Sequence, residues 1–171
     1  PRLIFCNSLQ KDLQTLKVPT SFASWLTKRE KPERQLLIFV PTITLAERLK
    51  QPLTNYFLEQ KLIDHAGELA AVHASDPERE EKVLAFREKR LKVMVTTTIL
   101  ERGVTFPSVD VAILDAGNKV FDEAALVQIA GRAGRNAKDP TGEVVFFHDG
   151  KTEAMLEAIH SIKQMNERGG F

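Results

Sequence analysis

Leu36-Leu37-Ile38-Phe39-Val40-Pro41-Thr42 is an unbroken apolar run closed by a proline and a hydroxyl. A strand with one face in water alternates apolar and polar side chains. A run without polar interruption belongs to a strand covered on both faces, as in a parallel sheet between layers of helix. Similar short runs occur at Leu3-Ile4-Phe5, Leu69-Ala70-Ala71-Val72, Val93-Met94-Val95, Val109 to Leu114 and Val144 to Phe147. Helical patterns lie between them, near residues 20–30, 43–60, 76–90, 121–132 and 151–168. This alternation predicts a single α/β domain with a mainly parallel central sheet and helices on both faces. In such sheets ligands sit beyond the carboxyl ends of the strands, so the polar loops that follow the strands are expected to share one rim.

Local signals refine this outline. Asp76 before Pro77 reads as a helix start, and Thr44 with Glu47 as a capping box. Met155, Ile159, Ile162 and Met165 form one stripe of a last helix ended by Gly169-Gly170, and read as core packing. The run Thr27 to Arg34 reads as a solvated helix end and loop. The chain divides into a lead-in strand, helix and loop over 1–35, a motif-bearing core over 36–150 and a C-terminal helix over 151–171.

The 171 residues are 43% hydrophobic, enough for a sizeable core. The net charge of +1 neither demands nor excludes nucleic acid, because a binding groove needs local positive charge. Cys6 is the sole cysteine, which rules out an internal disulfide framework and fits a reducing, cytoplasmic compartment. No apolar run approaches the length of a membrane span.

Two loops carry chemistry. Gln128-Ile129-Ala130-Gly131-Arg132-Ala133-Gly134-Arg135 follows an apolar helical stripe. Gly131 and Gly134 each weaken helix by roughly 1 kcal/mol relative to alanine. They offer backbone that a ligand can approach, beside two guanidiniums whose planar forks match phosphate oxygens. A surface turn with two solvated arginines has the same pattern. Upstream, Thr96-Thr97-Thr98-Ile99-Leu100-Glu101-Arg102-Gly103-Val104-Thr105-Phe106-Pro107 places three hydroxyls directly after a buried strand, where they can donate to phosphate or simply suit a strand end. Thr42 follows the first run in the same way. His73 reads as a structural hydrogen-bonder, and His148-Asp149 lacks a second pair to complete a metal site.

In this order these pieces resemble the second RecA-like lobe of superfamily-two helicases and translocases. Residues 36–42 are similar to motif IV, 97–107 to motif V and 128–135 to motif VI. Within the superfamily they most resemble the late-competence DNA-uptake ATPases of Gram-positive bacteria, the ComFA type. The tail Thr141-Gly142-Glu143-Val144-Val145-Phe146-Phe147-His148-Asp149-Gly150 and Ile162-Lys163-Gln164-Met165-Asn166 extend that likeness. The primosomal replication-restart helicase shares the Ala130 to Arg135 core and is the nearest competitor.

The resemblance implies a RecA-like three-layer sandwich of P-loop NTPase type. It implies Arg135 as arginine finger, with Arg132 also at the γ-phosphate, and Gln128 as link to the partner lobe. Gly103, Thr105 and Gly131 would lie near the nucleotide, although many relatives carry aspartate at the Thr105 position. Arg102 is open between a site role and an internal salt bridge. Thr42, Thr96, Thr97 and Thr98 would contact the nucleic-acid backbone. The cofactor is ATP with Mg2+, bound chiefly by an N-terminal lobe. Implied partners are single-stranded DNA, that lobe, and a membrane DNA-uptake channel with competence proteins, which places the protein in the cytoplasm at the inner membrane face.

These 171 residues contain no G-x-x-x-x-G-K-S/T loop and no Asp-Glu pair placed to hold magnesium. The expectation is therefore the C-terminal lobe of a longer ATPase, inactive alone. The alternatives are a lobe of a primosomal replication-restart type helicase, a non-catalytic RecA-like adaptor that binds nucleic acid or protein, and an RNA helicase lobe.

Overall fold

Among the described residues eight strands form in chain order: β1 (Arg2–Phe5), β2 (Gln35–Phe39), β3 (Leu69–Ala71), β4 (Val93–Thr96), β5 (Phe106–Pro107), β6 (Val109–Leu114), β7 (Ala133–Gly134) and β8 (Val144–His148). The computed structural model describes residues 1–97, 106–131, 133–134 and 142–168. Six strands make one sheet in the order β1-β8-β6-β2-β4-β3, with every pairing parallel. β5 and β7 make a separate parallel pair.

The central run behaves as its composition demands. Leu36, Ile38 and Val40 face one core, shared with α1 (Leu9–Gln14), α2 (Thr20–Thr27) and α3 (Ile43–Glu59). Leu37 and Phe39 face the other, shared with α4 (Arg79–Arg87), α5 (Glu123–Ala130) and α6 (Glu153–Arg168). The result is a three-layer sandwich. The strands coincide with the apolar runs to within two residues at either end. α1 was not anticipated: only Leu9 and Leu13 are buried on it, too few to register as a periodic stripe.

Four local expectations need correction. The polar run at 27–34 is not wholly solvated. Arg29 and Arg34 are 8% and 7% exposed, and both reach Asp110 near the start of β6, which is fully buried. Arg29 Nη1 donates to Asp110 Oδ2 at 3.1 Å, and Arg34 Nη1 donates to Oδ1 at 3.2 Å. The Glu143 amide donates to the same Oδ1 at 2.9 Å. Burial pulls the Arg29 guanidinium below its ordinary value, and the Asp110 charge opposes that pull.

The cap of α3 is Thr42 rather than the Thr44–Glu47 box. Its Oγ1 accepts from the Leu45 amide at 3.1 Å, and Glu47 instead approaches His73 at 3.4 Å. Asp76 caps a turn ahead of α4, accepting from the Glu78 amide at 2.8 Å, and the helix itself begins at Arg79. Met155 is fully buried as expected, whereas Met165 is 55% exposed, so the stripe is core packing only in its first part.

Asp110 joins the segment before β2, the body of β6 and the approach to β8 at the amino end of the sheet. Removing one member of such a buried charge cluster leaves uncompensated charge in a low-dielectric site. Asp110→Ala should cost about 3–5 kcal/mol in urea unfolding. A loss below about 1 kcal/mol, the range of an exposed pair, would contradict the tie.

Candidate nucleic-acid interface at the carboxyl rim

Because the six strands run the same way, their carboxyl ends share one rim. At the end of β2, Thr42 is exposed and extended, with its side chain committed to the cap. Its oxygens take the amides of Leu45 and Ala46, which leaves those of Ile43 and Thr44 facing outward at the positive end of a 17-residue helix. At the end of β3, His73 Nδ1 accepts from the Ser75 amide at 3.2 Å and Nε2 lies 3.4 Å from Glu47. That fixes the ring by two neighbours, as a structural histidine.

The threonines after β4 are placed differently from the expectation. Thr96 is 0% exposed, and its hydroxyl has no hydrogen-bond partner. Thr97 is 5% exposed. Within β4, Val95 belongs to the α3-side core and Met94 to the opposite one, so strand alternation sends Thr96 to the Met94 side. The hydroxyl that sequence reasoning aimed at a ligand is thus enclosed in this conformation. Thr98, Gly103 and Thr105 lie outside the described residues.

Motif VI occupies a second place. Gln128 is exposed on the last turn of α5. Gly131 closes that helix, its amide donating to Val127 O at 3.1 Å, with an ordinary helical φ of −68°. A methyl group added there would meet only carbonyls of its own helical turn, Gln128 O at 3.3 Å and Val127 O at 3.7 Å. Ala133 and Gly134 then pair with Phe106 and Pro107, which joins the middle of motif VI to the end of motif V. This pair lies ahead of β6, toward the amino end of the sheet. There Phe106 packs edge-on against Phe86 at 4.9 Å, and Gln35 at the start of β2 holds Phe86 O at 2.6 Å. The backbone of Ala133 and Gly134 therefore stands apart from the threonine-bearing turns. Arg132 and Arg135 lie outside the described residues.

Sequence reasoning missed a cluster between the ends of β2 and β6. Asp115, the residue after β6, takes a left-handed backbone (φ 68°) and is 4% exposed. Its Oδ1 accepts from Gln10 Nε2 at 2.8 Å and its Oδ2 from Asn118 Nδ2 at 3.2 Å. Burial pushes its carboxyl above the usual range, and these two amides oppose the push. A polar residue at the first position beyond an apolar strand is the signal that could have found it. Among the described residues no group of His, Cys, Asp or Glu could hold a metal ion.

The helicase conserved C-terminal domain matches residues 3–137, and the chain belongs to that family. It is 40% identical over 167 residues to competence protein ComFA of Bacillus subtilis, covering 98% of this chain and 34% of the relative. It is 36% identical over 171 residues to competence protein ComFA of Streptococcus pneumoniae, covering 100% and 38%. The chain thus spans about a third of the length of these relatives. UvrABC system protein B of Natronomonas pharaonis is 35% identical over 130 residues, covering 72% and 18%. Among solved structures, domain 2 of the DEAD-box helicase Mss116p bound to an RNA duplex superposes with a TM-score of 0.62 at 18% identity, covering 95% of this chain and 57% of that one. The helicase Lhr of Mycobacterium smegmatis, bound to single-stranded DNA and AMP-PNP, gives 0.61 at 21% identity, covering 93% and 18%. These structural likenesses establish the RecA-like fold.

Thr42→Ala should lower stability by about 1 kcal/mol through loss of the cap, while Thr42→Asn restores it. Equal stability of Thr42→Ala and the parent in thermal unfolding would contradict the capping role.

Proposed function

We propose that this chain is the C-terminal motor lobe of an ATP-dependent translocase that draws single-stranded DNA into the cell during natural competence. The observation that carries the reading is the similarity to the two ComFA proteins along 98% and 100% of this chain, whose own sequence holds the Gln128 to Arg135 motif. The rim supports it: exposed Thr42 and the outward amides of Ile43 and Thr44 suit phosphate and sugar, contacts that carry no sequence information.

ATP with Mg2+ would be held chiefly by the N-terminal lobe and would supply the phosphoryl group. The exposed Gln128 and Gly131, with the β5–β7 pairing, fit a nucleotide-facing surface. There Arg135 acts as arginine finger with Arg132 beside it, and Gly103 and Thr105 approach the nucleotide. Exposed Thr42, the outward amides of Ile43 and Thr44, and Thr98 hold the strand, while Thr96 and Thr97 are buried. Separate nucleotide and strand surfaces let closure of the cleft between lobes move the strand. The partner of such a motor is a membrane DNA-uptake channel, reached from the cytoplasmic face.

In the full-length protein, Arg135→Ala should lower DNA-stimulated hydrolysis by about a thousandfold or more while single-stranded DNA binding is retained. Retained turnover would overturn the finger assignment. The 171-residue chain alone should hydrolyse ATP at background rate.

A further inference from the structure

A crevice of about 340 Å³ opens at the carboxyl rim between the ends of β2 and β6. Its position has a topological cause. The connection after β2 runs through α3 on one face of the sheet, and that after β6 runs through α5 on the other. Adjacent strands whose connections part in this way leave a cleft, the usual ligand position of open α/β sheets. The size is at the low end of small-molecule pockets, about 300–1,000 Å³.

Its walls differ in chemistry from one side to the other. Leu13, Leu16 and Leu45 contribute apolar surface. Thr42, Thr44 and Arg48 line the side formed by the first turns of α3. Arg48 is exposed and enters no ion pair among the described residues. On the remaining side stand Gln10, Asp115 and Asn118. Asp115 takes one N–H from each of the two amides, which orients both. Asn118 Oδ1 is already used by the Val120 amide at 3.0 Å, whereas Gln10 keeps Oε1 and its second N–H for a ligand. An apolar wall, a fixed amide offering one acceptor and one donor, and a cation with free helix amides at the mouth match the parts of one nucleotide: ring face, base edge and phosphate.

We propose that this crevice holds one unstacked base of the single strand whose backbone crosses Thr42, its ring against the leucines, its edge on Gln10 and its phosphate beside Arg48. The inference rests on the strand-binding reading of the rim and adds a grip on the base to contacts that otherwise reach only the backbone. The grip tolerates any base, because ring faces are common to all of them.

Both cores close within the chain, so fluorescence anisotropy of the 171-residue protein can test it. The probes are a short oligo-thymidylate and an oligomer of equal length and charge built from abasic deoxyribose phosphates. The oligo-thymidylate should bind about tenfold more tightly, the scale of one stacked base. Gln10→Leu, at an exposed position, removes the edge contact and should lower that preference while abasic binding is unchanged. Equal binding of both probes by the parent protein overturns the base grip and leaves the backbone reading intact. A preference that Gln10→Leu leaves unaltered places the base elsewhere and also overturns it. Binding of neither probe removes the strand-binding reading and this inference with it. Displacement of oligo-thymidylate by free thymidine monophosphate at comparable concentration would assign the crevice to a mononucleotide instead.

Discussion

Burial of β2 on both faces is the constraint from which the rest follows. Leu36, Leu37, Ile38, Phe39 and Val40 are each 1% exposed or less, so helices must cover both sides of the sheet. Fully burying such a side chain contributes about 1.5–3 kcal/mol, and no arrangement with a solvated face retains that for all five. Parallel neighbours joined through helices satisfy the requirement, and they send the chain out of each strand in the same direction. Pro41 and Thr42 therefore emerge where Val72, Thr97 and Asp115 also emerge.

The two ends of the sheet do different work. At the amino end, Asp110 between Arg29 and Arg34 fastens the lead-in segment to β6 and to the approach of β8. At the carboxyl end, polar groups are left for ligands: the first amides of α3, Arg48, and the Gln10 amide turned by Asp115. Ala133 and Gly134 belong to neither rim turn, because they pair with Phe106 and Pro107 ahead of β6.

The fold was legible because apolar runs and helical stripes are local signals. What escaped was set by distance along the chain or by alternation. Arg29 and Arg34 looked solvated because their carboxylate lies 81 and 76 residues away. Thr96 and Thr97 look ligand-facing as adjacent hydroxyls after a strand, yet both are buried, Thr96 on the Met94 side. The Thr44–Glu47 pattern suited a capping box, but the strand ended early enough for Thr42 to take the role. The crevice residues come from three separate segments, around Gln10, Arg48 and Asp115, and only the sheet brings them together.

The proposed place of the single strand is the carboxyl rim. Hydrogen exchange at backbone amides, with and without oligo-thymidylate, reads it residue by residue. A strand bound there slows exchange at Ile43 and Thr44, with no change at Arg34, Gln35 and Glu143 on the amino end. Protection at the amino end with Ile43 and Thr44 unaffected would contradict it.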